Sequence, residues 1–406
     1  MRIAQIAPII ESVPPKKYGG TERVVYALTE ELVRLGHEVT LFASGDSLTS
    51  AKLISVVPKS LRELFPQNKM NEVYGMNYMT IFNIGLAYQM QDKFDVIHDH
   101  TAHYGLLAAN NSQTPVVMTL HGNFDDNNKR LFQALNNPYF VTISDAQAKP
   151  VPNLNRIGTV YNGLNMTNYP FSNTNEGYLL FVGRISEEKG VHNAIEVANR
   201  LRKPLIIAAK LDTSHDPDVA YFKKFVKPFI NDQIRWIGEV TEEERNELMS
   251  KALAFLHLIT WPEPFGLTLI EAMACGCPVV AFRNGSIPEV IEQDKTGFVV
   301  ETVDEAIEAV KQIKNIDRSY CREYSLTQFG TERMTQGYLR AYKEAITRKK
   351  QLLSKKNIMP SPVFQRNLKD EYTRVNKPFI SAYSQEVRRD LKQIPARSEF
   401  TLKTKD

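Results

Sequence analysis

Two glutamates flank a short, glycine-containing apolar run in the segment WPEPFGLTLIEAMACGCPVVAFRNG, residues 261–285. Pro262 and Pro264 hold Glu263 in an extended loop, and the following LTLIEAMACG predicts a helix that carries Glu271. The free N–H groups at the start of such a helix can bind a phosphate. We therefore expect Glu271 to accept hydrogen bonds from ribose hydroxyls and Glu263 to face the group attached to the phosphate. A capped helix with an exposed Glu271 is the structural alternative, but it leaves Glu263 unexplained.

A loop with two cations follows another apolar run. In LLFVGRISEEKGV, Arg184 and Lys189 come directly after the strand-like residues. Arginine can bind a diphosphate as a fork and lysine can bind it as a point charge, so the pair favours a diphosphate site. A solvated charged loop is the alternative, because Glu187 and Glu188 separate the two cations.

Two further segments end a strand pattern with residues that suit a ligand. Gly19 and Gly20, in PPKKYGGTERVV, would let the backbone approach an anion closely at the start of a helix. His121, at the end of PVVMTLHGNF, can donate or accept a hydrogen bond. A tight turn and a structural histidine are the respective alternatives. The glycine segment is not a G-x-G-x-x-G, so it does not support a dinucleotide site.

Three other features favour a structural role. The segment HDHTAH, 98–103, has the residue types of a metal site but follows a strand directly. The DPD at 216–218 imitates a D-x-D metal motif, yet we expect it in a polar loop. Tyr74, Tyr78 and Phe82 share one face of a predicted helix, and we expect them to pack in the core rather than to line a pocket. We therefore expect no metal site.

The elements that must position these residues follow one repeated pattern. Short β-branched apolar runs alternate with helical periods, which predicts parallel sheets covered on both faces. The segment TERVVYALTEELVRLG shows the helical pattern clearly, with Thr21 as the expected N-cap and Gly36 as the stop. The periodicity lapses at 161–177, which is the best linker candidate. Two doubly wound units would place the carboxyl ends of their strands across a shared cleft, where such sheets bind ligands.

Composition and charge limit the class of protein. The 406 residues suffice for two domains, and three cysteines make no disulfide framework. Residues 347–406 hold 15 Lys+Arg and 6 Asp+Glu, a net charge of +9, which leaves −5 for the other 346 of a chain whose total is +4. A mildly acidic body argues against nucleic-acid binding. The chain shows neither a signal-peptide pattern nor a long uncharged apolar segment, so we expect a cytoplasmic protein.

Taken together, GGTER, TLHG, FVGRISEEKG and PEPFGLTLIEAMACGCPVVA resemble glycosyltransferase family 4, the retaining GT-B enzymes with an E-x7-E signature. VYNGLN and NGSIPEVIEQDKTGFVV are also similar to that family, and the likeness runs from about residue 1 to 346. The resemblance implies an α/β, GT-B architecture of two doubly wound Rossmann-like domains that face a central cleft. The expected division is an acceptor-side domain at 1–165, a nucleotide-sugar-binding domain at 166–346 whose last helix packs back on the first, and a basic extension at 347–406.

The resemblance also implies roles for the candidate residues. Glu263 and His121 would be the catalytic residues and contact the transferred sugar, whereas Glu271 would bind the ribose. Arg184 and Lys189 would neutralise the donor diphosphate without a metal. The remaining donor-binding positions would line the diphosphate side of the cleft, meet the nucleobase or surround the sugar and phosphate at the helix start. They are Gly19, Gly20, Gly238, Glu239, Val240, Phe265, Gly266, Leu267 and Thr268.

The expected reaction is a retaining transfer of a hexose from a nucleotide-diphosphate sugar to a hydroxyl acceptor. UDP-glucose is the first expectation for the donor and GDP-mannose the next, and the acceptor is an unidentified saccharide, lipid or small molecule. No cofactor is implied. The alternatives are an inactive sugar-nucleotide-binding module, or a phosphorylase or epimerase on the same fold. The basic extension could contact an anionic membrane surface, although a solvated extension is the interpretation we favour.

Overall fold

The computed structural model describes residues 1–16, 19–66 and 70–358, and its strands form two β-sheets. The seven strands of the first sheet are β1 (Arg2–Ile6), β2 (Glu38–Phe42), β3 (Lys52–Ile54), β4 (Val96–Asp99), β5 (Val116–Thr119), β6 (Tyr139–Thr142) and β7 (Arg156–Thr159). The six strands of the second sheet are β8 (Leu179–Arg184), β9 (Leu205–Lys210), β10 (Ile234–Gly238), β11 (Ala254–His257), β12 (Val279–Phe282) and β13 (Gly297–Val300).

Fourteen α-helices connect and cover these strands in the described part of the chain. Those before β8 are α1 (Gly20–Arg34), α2 (Leu61–Leu64), α3 (Met70–Gln89), α4 (His103–Asn111), α5 (Lys129–Ala134) and α6 (Asp145–Ala148). Those after β8 are α7 (Val191–Leu201), α8 (Asp216–Tyr221), α9 (Glu242–Lys251), α10 (Leu267–Ala274), α11 (Ile287–Val290), α12 (Val303–Gln312), α13 (Arg318–Phe329) and α14 (Thr331–Ile358). None of these helices is long and apolar enough to cross a membrane.

Both sheets have the doubly wound strand order. The first runs β3-β2-β1-β4-β5-β6-β7 and the second β10-β9-β8-β11-β12-β13, with every described strand pair parallel. Strands such as VVMT and AFLH are buried at all four positions, as expected for sheets covered on both faces. The prediction of parallel sheets in an α/β protein is therefore confirmed. The order reverses between β1 and β4 and between β8 and β11, and ligands of such sheets bind beside these reversals.

The start of α1 differs from the prediction. Gly19, rather than Thr21, is the N-cap, and no side chain caps the helix. Gly19 has φ +152°, and a Cβ there would lie 2.7 Å from the Cβ of Pro15. Only glycine tolerates that backbone and that contact, so the turn into the helix occurs at Gly19 and Thr21 falls inside the first turn.

The expectation that Tyr74, Tyr78 and Phe82 pack in the core was wrong. Their exposed fractions on α3 are 58%, 67% and 58%. The same helix turns Ile84 and Ala87 inward, and both are fully or almost fully buried. A four-residue spacing identifies residues that share a helix face, but it does not say whether that face meets the core or the solvent.

Helix α14 packs against the first sheet. Its Tyr338 and Tyr342 are completely buried, and the Tyr338 ring lies 4.6 Å from that of His98 on β4. Contacts group Met1–Lys349, with both sheets, as one compact unit and Lys350–Asp406 as another. Most of the second unit, including the basic residues beyond 358 and the short helix that SQEVRRDLKQI suggested, lies outside the described residues.

Candidate active site

The candidate residues lie where parallel strands end. His121 lies two residues after the end of β5, Arg184 is the last residue of β8, and Gly238 is the last residue of β10. Glu263 lies in the connection from β11 to α10, and Glu271 lies on α10. Because the carboxyl ends of parallel strands share one edge of a sheet, the fold gathers these residues at two sheet edges.

The loops of the two sheets meet beside Glu263. The Asn123 side chain, which follows β5, donates a hydrogen bond to the Pro262 carbonyl over 2.6 Å. The Ser144 hydroxyl, which follows β6, donates to the Pro264 carbonyl over 2.7 Å. These bonds hold both flanks of Glu263 against the first half of the chain.

The glycine loop approaches the same segment from α1. A Cβ on Gly20 would lie 3.3 Å from Cδ1 of Leu267, the first residue of α10. The starts of α1 and α10 therefore come within van der Waals contact. The structure thus brings the predicted glycine loop and the predicted phosphate-binding helix start together.

Glu263 is buried and surrounded by hydrogen-bond donors. Lys189 Nζ and Trp261 Nε1 each lie 3.1 Å from its Oε2 atom, and Lys189 Nζ is 4.7 Å from the centre of the Trp261 ring. No described residue hydrogen-bonds Oε1, which leaves that oxygen as an acceptor for a ligand hydroxyl. The lysine assigned to the donor diphosphate is thus paired with the carboxylate assigned to the sugar.

His257, at the end of β11, belongs to this site and was missed by the sequence analysis. Its Nε2 atom lies 3.8 Å from Glu263 Oε2 and has no hydrogen-bond partner among the described residues. Burial lowers the pKa of His257 to about 4, so the ring is neutral at physiological pH. A histidine that ends a buried strand, as His121 nearly does, was the signal that could have revealed it.

Glu271 is almost completely buried between two arginines. Arg245 Nη2 lies 2.8 Å from its Oε1 atom, and Arg23 from α1 forms an ion pair with the same oxygen. Arg23 also donates to the Tyr169 hydroxyl over 2.8 Å and to Glu242 over 3.0 Å. The predicted ribose-binding carboxylate thus connects α10 to the first helix of the chain, and neither arginine was identified from the sequence.

The start of α10 has the geometry expected of a backbone anion site. Gly266 is the N-cap with φ +88°, a conformation that L side chains rarely adopt, and a Cβ there would lie 2.7 Å from Leu269 Cδ1. The amides of Leu267 and Thr268 follow in the first turn. The Phe265 ring is buried against Tyr161 and Phe329, so Phe265 can reach a ligand only through its backbone.

The other predicted donor-binding residues are less enclosed. Arg184 is 42% exposed and pairs with Glu188 over 3.2 Å, which is the charged-loop arrangement that the sequence left open. Gly238 has φ +81°, and the pairing register shifts between Trp236 and Gly238. Glu239 is exposed and Val240 is half-buried beyond it.

Residues 98–101 of the histidine-rich segment are buried, whereas Ala102 is half-buried and His103 is exposed. His98 binds the Tyr342 hydroxyl and the Thr119 hydroxyl, and His100 binds His121 over 2.9 Å. No group of three or more possible metal ligands occurs in residues 1–16, 19–66 and 70–358. The DPD lies in the first turn of α8 rather than in a polar loop, with its second aspartate buried.

Family comparisons agree with this geometry. Residues 18–166 match the family model described as Glycosyltransferase Family 4, and residues 167–326 match the one described as Glycosyl transferases group 1. The chain is 26% identical over 332 residues to a glycogen synthase of Mycobacterium tuberculosis, which covers 70% of this chain and 79% of that protein. It is 25% identical over 378 residues to N-acetyl-alpha-D-glucosaminyl L-malate synthase of Bacillus anthracis, which covers 81% of this chain and 94% of that protein.

Solved structures share the fold. Sucrose-phosphate synthase from Thermosynechococcus elongatus matches with a TM-score of 0.71 and 16% identity, over 85% of this chain and 99% of that one. Anabaena HepE, crystallised with UDP and glucose, matches with a TM-score of 0.64 and 20% identity, over 85% of this chain and 100% of that one. The fold is that of the GT-B glycosyltransferases. The chain belongs to glycosyltransferase family 4.

Proposed function

We propose that this protein transfers a hexose from a nucleotide-diphosphate sugar to a hydroxyl acceptor with retention of anomeric configuration. The observation that carries the proposal is the pair of buried carboxylates, Glu263 and Glu271, on either side of the α10 start. Each is held by cationic side chains beside a helix start that can bind phosphate. UDP-glucose is the proposed donor and GDP-mannose the second candidate. The fold that the chain shares with HepE, which was crystallised with UDP-glucose, favours the first.

Within this proposal, a bound donor competes for Lys189. The lysine now neutralises Glu263 at 3.1 Å, and a diphosphate carries more negative charge than one carboxylate. Transfer of Lys189 to the diphosphate would release a lone pair of Glu263 for the sugar hydroxyls. Arg184 is exposed enough to join it, and the two cations replace the metal ion that other transferases use.

The proposed mechanism is electrostatic. Retaining glycosidases use two carboxylates about 5 Å apart, one of them as a nucleophile. Glu271 is instead fixed by Arg23 and Arg245, which suits a hydrogen-bond acceptor for ribose rather than a nucleophile. The leaving diphosphate would therefore accept the proton of the acceptor hydroxyl while Lys189 and the α10 start stabilise its charge.

The acceptor follows less directly from the residues. The segments 45–80 and 123–135 of the first half are the proposed acceptor-binding segments, and their described residues include β3, α2, the start of α3 and α5. Asn123 already contacts the loop that carries Glu263. An acceptor held by these segments would meet the donor at the junction of the two sheets.

The test is donor turnover by the purified full-length chain. UDP-, GDP- and ADP-sugars are incubated separately, and the slow release of each nucleotide, in which water takes the place of the acceptor hydroxyl, is followed for the wild type, Glu271→Gln and Lys189→Met. We expect release from one donor and a loss of at least about 100-fold in both variants, because each removes a buried charge from the site. Glu308→Gln is the matched control, because Glu308 is 63% exposed on α12.

The outcomes separate the alternatives. Release that requires inorganic phosphate identifies a phosphorylase, and conversion of the donor sugar without nucleotide release identifies an epimerase. Tight donor binding by calorimetry without turnover identifies an inactive binding module. The absence of both binding and nucleotide release with every donor would overturn the proposed site. Circular dichroism of each variant distinguishes lost chemistry from lost folding.

A further inference from the structure

A continuous chain of hydrogen bonds begins at His121, one of the candidate site residues, and runs into the interior of the protein. His121 Nε2 lies 2.9 Å from His100 Nδ1, and His100 Nε2 lies 2.9 Å from Gln5 Oε1. The Gln5 amide nitrogen in turn donates to the Tyr342 hydroxyl over 3.1 Å. The hydrogen-bond chain thus connects a residue just after β5, through one just after β4 and one on β1, to α14.

The same chain continues beyond Tyr342. The Tyr342 hydroxyl lies 2.7 Å from His98 Nδ1, and His98 Nε2 lies 2.9 Å from the Thr119 hydroxyl. The Thr119 hydroxyl is 3.2 Å from that of Tyr338. These four side chains, like Gln5 and His100, are at most 3% exposed, so water cannot easily substitute for a missing partner.

The three histidines of this hydrogen-bond chain, His98, His100 and His121, are neutral. Burial lowers the pKa of His98 and His100 well below the ordinary value and lowers that of His121 to about 4. A neutral imidazole has one N–H donor and one lone-pair acceptor. Each ring must therefore donate at one nitrogen and accept at the other.

The orientation of the Gln5 amide determines which ring nitrogen of His100 and of His121 carries the proton. Its oxygen can only accept, so His100 donates from Nε2 and must accept at Nδ1. His121 must then donate from Nε2, and its proton-free nitrogen is Nδ1. No described residue hydrogen-bonds His121 Nδ1, so a lone pair is left for a ligand.

The other end of the Gln5 amide limits the remaining protons. Its nitrogen donates to the Tyr342 hydroxyl, which leaves the Tyr342 proton available to His98 Nδ1 at 2.7 Å. If the Gln5 amide were rotated by half a turn, every proton in this part of the chain would reverse. His121 would then present an N–H at Nδ1 rather than a lone pair.

We propose that Gln5 and Tyr342 are positioning residues that hold His121 in the Nε2–H tautomer, so that its Nδ1 accepts a hydrogen bond from a hydroxyl of the donor sugar. The inference rests on the proposed function, because it takes the ligand of His121 to be the sugar. Neither positioning residue touches the donor. They act through His100, as hydrogen-bond partners commonly fix the tautomer of a functional histidine.

The direct test is nitrogen NMR of the full-length protein labelled with ¹⁵N-histidine. Spectra of His121→Gln and His100→Gln assign the ring signals of those two residues. We expect the wild type to show a protonated Nε2 and an unprotonated Nδ1 for His121 at pH 7.5. A protonated Nδ1 would overturn the proposal without the need for any folded variant of Gln5 or Tyr342.

Two tyrosine variants provide a matched comparison. Tyr342→Phe removes the hydroxyl that accepts from the Gln5 amide. Tyr338→Phe removes a hydroxyl one helical turn earlier on α14, at the end of the hydrogen-bond chain farthest from His121. Both tyrosines are completely buried on α14, so the two losses have similar structural costs. We expect a mixture of His121 tautomers in Tyr342→Phe only, and the wild-type tautomer in both variants would overturn the role of Tyr342.

Donor kinetics complete the test. We expect Tyr342→Phe to raise the KM for the donor about tenfold relative to Tyr338→Phe, because part of the population loses one hydrogen bond to the sugar. Equal KM values would overturn the link from the tautomer to the sugar. A wild type that turns over no donor would refute the proposed function, but the NMR spectrum would still decide the tautomer. The two failures are thus distinguishable.

Discussion

Glu22 on α1 should make its own measurable contribution to the pH dependence of stability. This side chain is only 6% exposed, and a Cβ on Gly19 would lie 3.0 Å from its Oε2 atom. Burial raises the pKa of Glu22 from 4.5 to about 7, opposed by its own backbone N–H, with a further contribution from Glu11. The folded protein therefore holds the Glu22 proton more tightly than the unfolded chain does.

The sign and size of the effect follow from that difference. As the pH rises from 4.5 towards 7, the unfolded chain gains stability by ionising at Glu22 while the folded chain does not. A shift of about 2.5 pKa units corresponds to about 3 kcal/mol lost from the free energy of unfolding above pH 7. At pH 5 the corresponding loss is about 1 kcal/mol.

Glu22→Gln removes this titration. We expect the variant to gain about 2 kcal/mol relative to the wild type between pH 5 and pH 8, measured by urea unfolding at both pH values. Any effect of the glutamine amide on stability that does not depend on pH cancels when the difference between variant and wild type is compared at the two pH values. Far-UV circular dichroism reports both sheets, whereas fluorescence reports only the second half, because both tryptophans, Trp236 and Trp261, lie there.

The control is Glu308→Gln, which removes a carboxylate that is 63% exposed. Its difference from the wild type should be the same at both pH values. A Glu22→Gln variant whose stability difference is also independent of pH would refute the argument, because it would mean that Glu22 ionises normally in the folded protein.

Three further outcomes follow from backbone contacts, burial and exposure. In thermal unfolding, Gly190→Ala should lower the free energy of unfolding by about 3 kcal/mol or more, because a Cβ at φ +68° would lie 2.1 Å from the Leu258 carbonyl oxygen. Gly177→Ala is the control in the same experiment and should cost about 1 kcal/mol, because Gly177 has φ +83° but lies in open space. Tyr78→Ser should change stability by less than about 0.5 kcal/mol, because the ring is 67% exposed, and a larger loss in urea unfolding would show that α3 is covered in solution. Burial raises the pKa of the thiols of Cys275, Cys277 and Cys321. At pH 8, Ellman's reagent should therefore react with none of the three thiols within minutes in the native protein and with all three after denaturation.

The strand ends were predictable from the sequence because they depend on local patterns. Apolar runs such as VVMT and AFLH are too short and too β-branched or aromatic for buried helices, and their burial on both faces requires parallel sheets. Parallel strands collect their carboxyl ends at one edge, so His121, Arg184 and Glu263 could be assigned from the sequence to positions at or after strand ends, and the structure places them there.

The partners of these residues could not be predicted in the same way. Arg23 and Glu271 are separated by 248 positions, and nothing in either local pattern indicates that they form an ion pair. The same holds for Gln5 and Tyr342, which meet only because α14 packs on the first sheet. Sequence patterns specify which groups lie on a face or at an edge, whereas charge pairing depends on the packing of elements that are distant in the chain.

The contacts of Trp261 give the protein an optical property of its own. The indole donates to Glu263 and lies under the Lys189 ammonium, so we expect its fluorescence to depend on the position of that charge. A diphosphate that draws Lys189 away would alter the emission of that indole without any added dye. The second tryptophan, Trp236, lies on β10 close to the proposed nucleobase side and supplies an internal comparison. Substitution of each tryptophan by phenylalanine would therefore turn the native chain into a direct sensor of which part of a donor has bound.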